Sequence, residues 1–316
     1  MKKNETDMLT LNLAYPHKSN ILFKIDRFPD GQQQVRLEGL EIERMKNSYS
    51  SNYDVNIFIK SRLNNFQDLE LICCSVASLT ELGIKNIHLY TPYFLGSRSD
   101  RKFEEASNNY LKKVICPIIN SLNFQSVTVW DPHSDVLEAC LNNFKKINNL
   151  ALVDDALSYL IKDEEEDQIV LVSPDAGSYK KIFDVAMNFG IKKIITASKA
   201  RDLKTGEILQ TVIPELNQDN NLKYVIVDDI CDGGRTFIEL AKGIKSSRPT
   251  AEIYLIVTHG IFSGGFYSLN EVLDGIFCTN SYEDIESKKH DDKGSTTNSR
   301  GSSVTKPYFV KQLNIF

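Results

Sequence analysis

The stretch "VIVDDICDGGRTF", residues 225–237, decides how the rest of the chain is read. An apolar run meets two adjacent acids, Asp228 and Asp229, and then a Gly-Gly turn that ends in Arg235 and Thr236. The segment that follows, "RTFIELAKGIK", has helical spacing, so the stretch is a strand, a short loop and a helix start. On the bland reading the glycines only make the turn and an aspartate caps the helix. That reading leaves the acid pair unexplained, because two neighbouring carboxylates at the end of a buried strand repel and are costly to desolvate. Sugar hydroxyls or a divalent cation would relieve the cost. Loop amides and a helix N-terminus would meanwhile hold a phosphate. The pattern therefore predicts a site for a ribose phosphate.

Working outward, the first sixty residues alternate in "NILFKIDRF", "QQQVRLEGLEI" and "NYDVNIFIK", with the turn "FPDG" between the first two, and predict a β-rich opening. From "NFQDLELICCSVASLTELG" the period is helical, and "IKNIHLYTPY" after it is a strand. Helices are expected in "EEASNNYLKKVICPIINSL", "SDVLEACLNNF" and "SYKKIFDVAMNFG", and strands in "FQSVTVWDPH", "DQIVLVSPDAG", "IKKIITASKA", "LKYVIVDDI" and "AEIYLIVTHG". Alternating strands and helices, with strands apolar on both faces, imply α/β architecture with parallel sheets covered on both sides. The length of 316 residues fits two domains, 1–150 and 151–316. "KDEEED", 162–167, reads as a solvated loop, and the polar, serine-rich segment 286–306 as a mobile insert. "KPYFVKQLNIF" then returns as a strand.

The totals narrow the function. A net charge of −5 gives no electrostatic footprint for nucleic acid. Six scattered cysteines lack metal-ligand spacing and fit reduced thiols in a cytoplasmic protein, and no window approaches a membrane span. Ligands of doubly wound sheets bind beyond the carboxyl ends of the strands. Besides Asp228 and Asp229, two other strand ends carry suitable groups, Asp175 in "SPDAGSYKK" and Asp131 with His133 in "VTVWDPHSDV". Taken alone, His133 reads as a capping or surface residue.

The opening stretch resembles the PRPP-binding motif shared by type I phosphoribosyltransferases and ribose-phosphate pyrophosphokinases (PRPP synthetases). Four further segments are similar to the second group. "RFPDGQ" at 27–32 resembles R-F-x-D-G-E, and "TPYFLGSRSDRKF" looks like P-Y-x-x-x-x-R-Q-D-R. "SPDAGSYKK" is similar to S-P-D-A-G-G-x-K-R, and "VTHGIFSGG" to A-T-H-G-x-F-S-G. The resemblance runs from about residue 27 to about residue 280 and implies two phosphoribosyltransferase-type domains, each with a mainly parallel sheet flanked by helices.

It also implies transfer of the β,γ-diphosphate of ATP to the 1-hydroxyl of ribose 5-phosphate, giving PRPP and AMP, with magnesium. On that footing Lys199 and Arg201, in "TASKARDLKTGE", stabilise the transition state, and His133 and Asp175 contact the metal. Arg98, Asp100, Arg101 and His133 line the ATP site, to which Phe28 and Asp30 come from a neighbouring copy in a homo-oligomer, a dimer or hexamer. Asp228 and Asp229 hold the ribose hydroxyls. Asp232, Gly233, Gly234, Arg235 and Thr236 form the phosphate loop.

The departures are specific. The opening "G-N" strand of the family and its helix are missing, so the first strand is expected to be replaced or shortened. Gln32 stands in place of Glu and Ser99 in place of Gln, and D-G-G-R-T replaces D-T-A-G-T. Two glycines remove side-chain walls, and Arg235 adds a planar donor fork suited to a diphosphate. ADP-ribose is therefore the alternative acceptor, as in phage-type relatives that rebuild NAD. A phosphoribosyltransferase would need a hood over a base, which is not found. An inactive regulatory subunit would be expected to lose the Lys-Arg loop or the acid pair, and both remain.

Overall fold

A computed structural model describes residues 8–38, 42–43, 55–161, 168–201, 208–212, 222–285 and 309–316, with backbone only for 198–201 and 208–212. The segments 162–167 and 286–306, read above as a solvated loop and an insert, lie outside the described residues. The chain divides into two compact units, Met1–Asn148 with Phe316, and Asn149–Ile315.

The first unit holds a five-stranded parallel sheet in the order β1 (Met8–Asn12), β4 (Asn56–Lys60), β5 (Asn86–Tyr90), β6 (Ser126–Trp130), β7 (Phe144–Ile147). The opening strand is thus replaced by "MLTLN", followed by a short 3-10 turn, Pro16–Lys18. An antiparallel hairpin of β2 (Phe23–Arg27) and β3 (Gln33–Leu37) packs on helix α1 (Phe66–Glu81). There Gln33 donates to Glu70 and the Gln67 carbonyl, and Ser78 Oγ donates to the Val35 carbonyl. Asn65 starts α1 by accepting from the amides of Gln67 and Asp68.

Three expectations need correction here. Strands β4 and β5 are not apolar on both faces: their residues alternate between buried and partly exposed, with Ile57, Ile59, Ile87 and Leu89 turned to the core. The helix expected over 104–122 begins only at Tyr110. It opens as a π turn, Leu111–Ile115, before Cys116–Ser121, because Pro117 has no N–H to give the Lys113 carbonyl (α2 for the whole). The helix expected over 134–144 is confined to α3 (Val136–Cys140), and "FKKI" after it is strand β7. Two successive lysines hid its strand character.

The second unit holds a six-stranded parallel sheet, with strand order β15 (Val310–Leu313), β14 (Gly275–Thr279), β13 (Glu252–Gly260), β12 (Lys223–Cys231), β8 (Ile169–Ser173), β9 (Lys193–Thr196). Here the four central strands, β14, β13, β12 and β8, are largely buried on both faces, as expected, while the edge strands β15 and β9 are partly exposed. One face, with Leu171, Val225, Val227 and Ile256, packs on α4 (Leu150–Leu160) and α5 (Tyr179–Phe189). The other, with Val172, Ile226, Leu255 and Val257, packs on α6 (Arg235–Ser247) and α7 (Tyr267–Asn270). Helix α4, strand β14 and the ribbon strand β11 (Ile208–Val212), which pairs antiparallel with β10 (Ser198–Arg201), were not anticipated.

The sheet has one reversal. From β8 the chain crosses through α5 to β9 on one side, while β12 and the strands after it build outward on the other. The loops after β8 and β12 leave opposite faces there and open a crevice at the strands' carboxyl ends.

Ile256 is fully buried in the middle of β13. Ile256→Ala should lower stability by about 2–5 kcal/mol in urea unfolding. Lys145→Ala, on the exposed side of β7, should stay within about 0.5 kcal/mol of the parent.

Candidate functional site

Strand β12 carries Asp228 and Asp229 within the strand, as the expected strand "LKYVIVDDI" has it, and continues one residue further, to Cys231. It pairs with β8 only over Lys223–Ile226, so the acids lie beyond the last β8 rung, at the crevice, while pairing with β13 continues to Cys231 and Gly260. Side chains alternate along a strand, so Asp229 continues the row of Val225 and Val227 that faces α5. Lys181 of α5 meets it there, Nζ to Oδ1 at 3.7 Å, with Asp229 6% exposed. Asp228 Oδ1 accepts the Asp229 amide at 2.9 Å, and Ser178 Oγ stands 3.5 Å from it.

Burial, with the neighbouring Asp229 carboxylate and the hydrogen bond between the two side chains, raises the Asp228 carboxyl well above the usual carboxylate range, against the opposing pull of Lys181. Holding a proton on Asp228 relieves the repulsion between the two acids, and Lys181 offsets the charge of Asp229. The sequence reading did not single out Ser178 or Lys181, although both lie in "SPDAGSYKK". The signal was the serine standing where the similar motif has glycine.

The loop after β8 brings Asp175 to the same place. Its Oδ1 accepts from the Ser178 amide at 3.1 Å and from Ser178 Oγ at 3.3 Å, so one hydroxyl stands between Asp175 and Asp228. Beyond Cys231, Asp232 and Gly233 lead to Gly234, whose φ of 77° is left-handed and whose missing Cβ would lie 2.8 Å from Leu269 Cδ2. Only glycine suits that position. Arg235 and Thr236 then open α6, with Arg235 exposed and no acid in the first turn, leaving the amides and the positive end of a 13-residue helix facing the loop.

Of the other proposed site residues, all but Lys199 and Arg201 lie in the first unit. Asp100, 3% exposed, takes the Arg101 fork on both oxygens, at 2.7 and 3.1 Å. The Arg101 hydrogen bonds hold its carboxyl below the usual range despite burial, with a smaller contribution from the charge of His133. Arg98, Arg101 and His133 are exposed. Phe28, 44% exposed, and Asp30 lie at the tip of the β2–β3 hairpin, where Asp30 Oδ1 accepts the Gln32 amide. Lys199 and Arg201 lie on β10, opposite Thr211 and Ile208 of β11; their side chains lie outside the description.

Among the described residues no group of three or more His, Cys, Asp or Glu could hold a metal. Magnesium binds through one or two carboxylates together with waters and substrate phosphates. The Asp175 carboxylate fits that mode, and the His133 imidazole fits it only through a metal-bound water. No helix among the described residues is long and apolar enough to cross a membrane.

Known proteins resemble this chain in sequence and in fold. Residues 142–261 match the phosphoribosyl transferase domain family. A ribose-phosphate pyrophosphokinase of Mycoplasmopsis pulmonis is 27% identical over 272 residues, covering 83% of this chain and 77% of the relative. One of Pyrococcus abyssi is 27% identical over 268 residues, covering 84% and 86%. The crystal structure of phosphoribosylpyrophosphate synthetase from Mycobacterium smegmatis superposes with a TM-score of 0.71 over 97% of this chain and 94% of that one. At 14% identity that likeness is one of fold: α/β, with two parallel sheets flanked by helices.

The raised Asp228 carboxyl has a stability consequence. A carboxyl that binds its proton more tightly in the folded state makes the fold lose stability as pH rises from the ordinary carboxylate range through the raised value. Asp228→Asn should therefore raise the Tm of the protein without ligand, with a chelator present, at pH 7–8. The difference should close below about pH 4, where the unfolded chain is protonated too. An equal Tm for parent and variant across the range would contradict the raised Asp228 carboxyl.

Proposed function

We propose that this distant homologue of the PRPP-synthetase-like phosphoribosyltransferases transfers the β,γ-diphosphate of ATP to the anomeric hydroxyl of ribose 5-phosphate. The observation that carries the reading is the crevice at the reversal of the six-stranded sheet. There the Asp228–Asp229 pair lies between the Asp175 loop and the glycine loop that opens α6.

In this reading the 5-phosphate rests on the amides of Gly233, Gly234, Arg235 and Thr236 at the positive end of α6. The ring hydroxyls donate to Asp228 and Asp229. Those hydrogen bonds would offset the repulsion between the two carboxylates. The 1-hydroxyl oxygen attacks the β-phosphorus, the bond from that phosphorus to the α,β-bridging oxygen breaks, AMP leaves, and the hydroxyl proton passes to solvent. Asp175 is assigned to magnesium, which would neutralise charge on the transferred phosphates, and His133 is assigned to a metal contact through a water.

Lys199 and Arg201 are assigned to the charge that develops around the β-phosphorus. Arg98, Asp100 and Arg101 are assigned to ATP, with Asp100 holding the Arg101 fork in place. Phe28 and Asp30 are assigned to the adenine bound by a neighbouring copy, a role that fits an exposed aromatic ring on a hairpin tip and makes the active form a homo-oligomer.

Two observations favour ADP-ribose as a second acceptor. A Cβ at Gly233 would meet only Ser263 Oγ, at 3.8 Å, so that side of the loop is open. Arg235, at the first position of α6, opposes the helix dipole. A second phosphate beside the loop would give that cation a partner.

With Mg-ATP, purified protein should release AMP and add a diphosphate to ribose 5-phosphate, read by mass spectrometry. Lys199→Ala or Arg201→Ala should lower kcat by about 10²–10³. Addition to ADP-ribose instead, lost on Arg235→Ala, would select the second acceptor. No AMP with either acceptor would refute the pyrophosphokinase reading.

A further inference from the structure

The motif "VTHGIFSGG", 257–265, supplies no group to the mechanism above, yet its loop touches the phosphate loop repeatedly. Strands β12 and β13 run in register to their ends, Ile230 beside His259 and Cys231 beside Gly260. Past that point the Cys231 carbonyl accepts the amides of Ile261 and Phe262, at 2.9 and 3.1 Å. Ser263 Oγ donates to Asp232 Oδ1 at 2.5 Å. At Gly264 a Cβ would come within 3.2 Å of the Gly233 carbonyl oxygen, so the two backbones lie against each other. Three successive residues, 231, 232 and 233, each meet the second loop.

The second loop is itself anchored. Phe262 has φ 46°, a left-handed conformation unusual for a bulky residue, and it is held there by burial. Its ring packs on Phe266 at 4.8 Å and occupies the space above Gly260, where a Cβ would come within 2.1 Å of Phe262 Cε2. A loop with glycines at 233 and 234 has little conformational preference of its own. Unless something else shapes it, a phosphate ligand must order it on binding and loses affinity accordingly.

We infer that Ser263 is a positioning residue: its hydrogen bond to Asp232, on a loop anchored by Phe262, holds the 232–236 loop in its phosphate-binding shape before ligand arrives. The inference rests on the ribose-phosphate reading for its functional consequence, but the ordering of the loop is independent of it. Ser263 acts through Asp232. Its loss should therefore weaken sugar-phosphate binding and leave ATP binding and the chemical step alone.

The test compares parent, Ser263→Ala and Ser263→Thr in two measurements. In hydrogen–deuterium exchange without ligand, Ser263→Ala should speed exchange of peptides that cover 232–236, and Ser263→Thr, which keeps the hydroxyl, should match the parent. In steady-state kinetics, Ser263→Ala should raise KM for the sugar phosphate about tenfold, the worth of one hydrogen bond to a charged group. KM for ATP and kcat should stay within about twofold. Unchanged exchange in Ser263→Ala would overturn the inference, as would a fall in kcat with KM unchanged, which would put Ser263 in the chemistry. A parent that releases no AMP would end the functional reading above, and the exchange comparison would still decide whether Ser263 orders the loop.

Discussion

Two carboxylates on consecutive residues of a central strand cannot both be charged and buried without a counter-charge. At an effective dielectric of about 20, two like charges 4 Å apart repel by about 4 kcal/mol, before any cost of leaving water. The chain meets this constraint at Asp228 and Asp229 with a raised Asp228 carboxyl, which holds its proton more tightly, and with Lys181. Much of the local architecture follows. Lys181 and Ser178 both belong to the start of α5, so the acids of β12 bind their strand to the β8–α5 segment next to it.

The position of the pair is a matter of topology. In the first unit the strand order β1-β4-β5-β6-β7 follows the chain in one direction, and the sheet offers no reversal. In the second, the reversal between β8 and β12 parts the loops that follow them. Strand β12 extends five residues past its last β8 partner, from Val227 to Cys231, and both acids fall in that overhang. An apolar pair there would close the crevice against β8. The acids keep it polar, which suits the hydroxyl-bearing ligand proposed above.

The α/β class, the second unit's apolar central strands and the motif that carries the site were legible because they are local: a run such as "IVLVS" has one physical use. What was not legible depends on partners distant in sequence. Strand β7 carries Lys145 and Lys146 and takes its identity from pairing with β6. The π turn of α2 follows from Pro117, but the helix start at Tyr110 was obscured by the acidic and polar residues before it. At the site, both acids, Asp175 and the glycine loop could be named from sequence. Lys181 could not, because its pairing with Asp229 depends on the packing of α5 against the far end of β12, 48 residues away in the chain.

The glycine loop shows how one substitution shifts another. Against the D-T-A-G-T pattern the chain has Gly233 and Gly234 followed by Arg235, so the glycine stands one position earlier. The left-handed turn is taken by Gly234, and Leu269 fills the space where a Cβ would be. With the turn completed there, position 235 becomes the first residue of the helix and no longer needs glycine, so it is open to any side chain. Arginine is the choice that the helix dipole disfavours, and no acid in the first turn offsets it. A side chain kept at an electrostatic cost to the fold, exposed at the start of α6, fits the anion proposed above. The acids of β12 follow the same logic with the opposite sign, and both fit the phosphorylated sugar of that proposal.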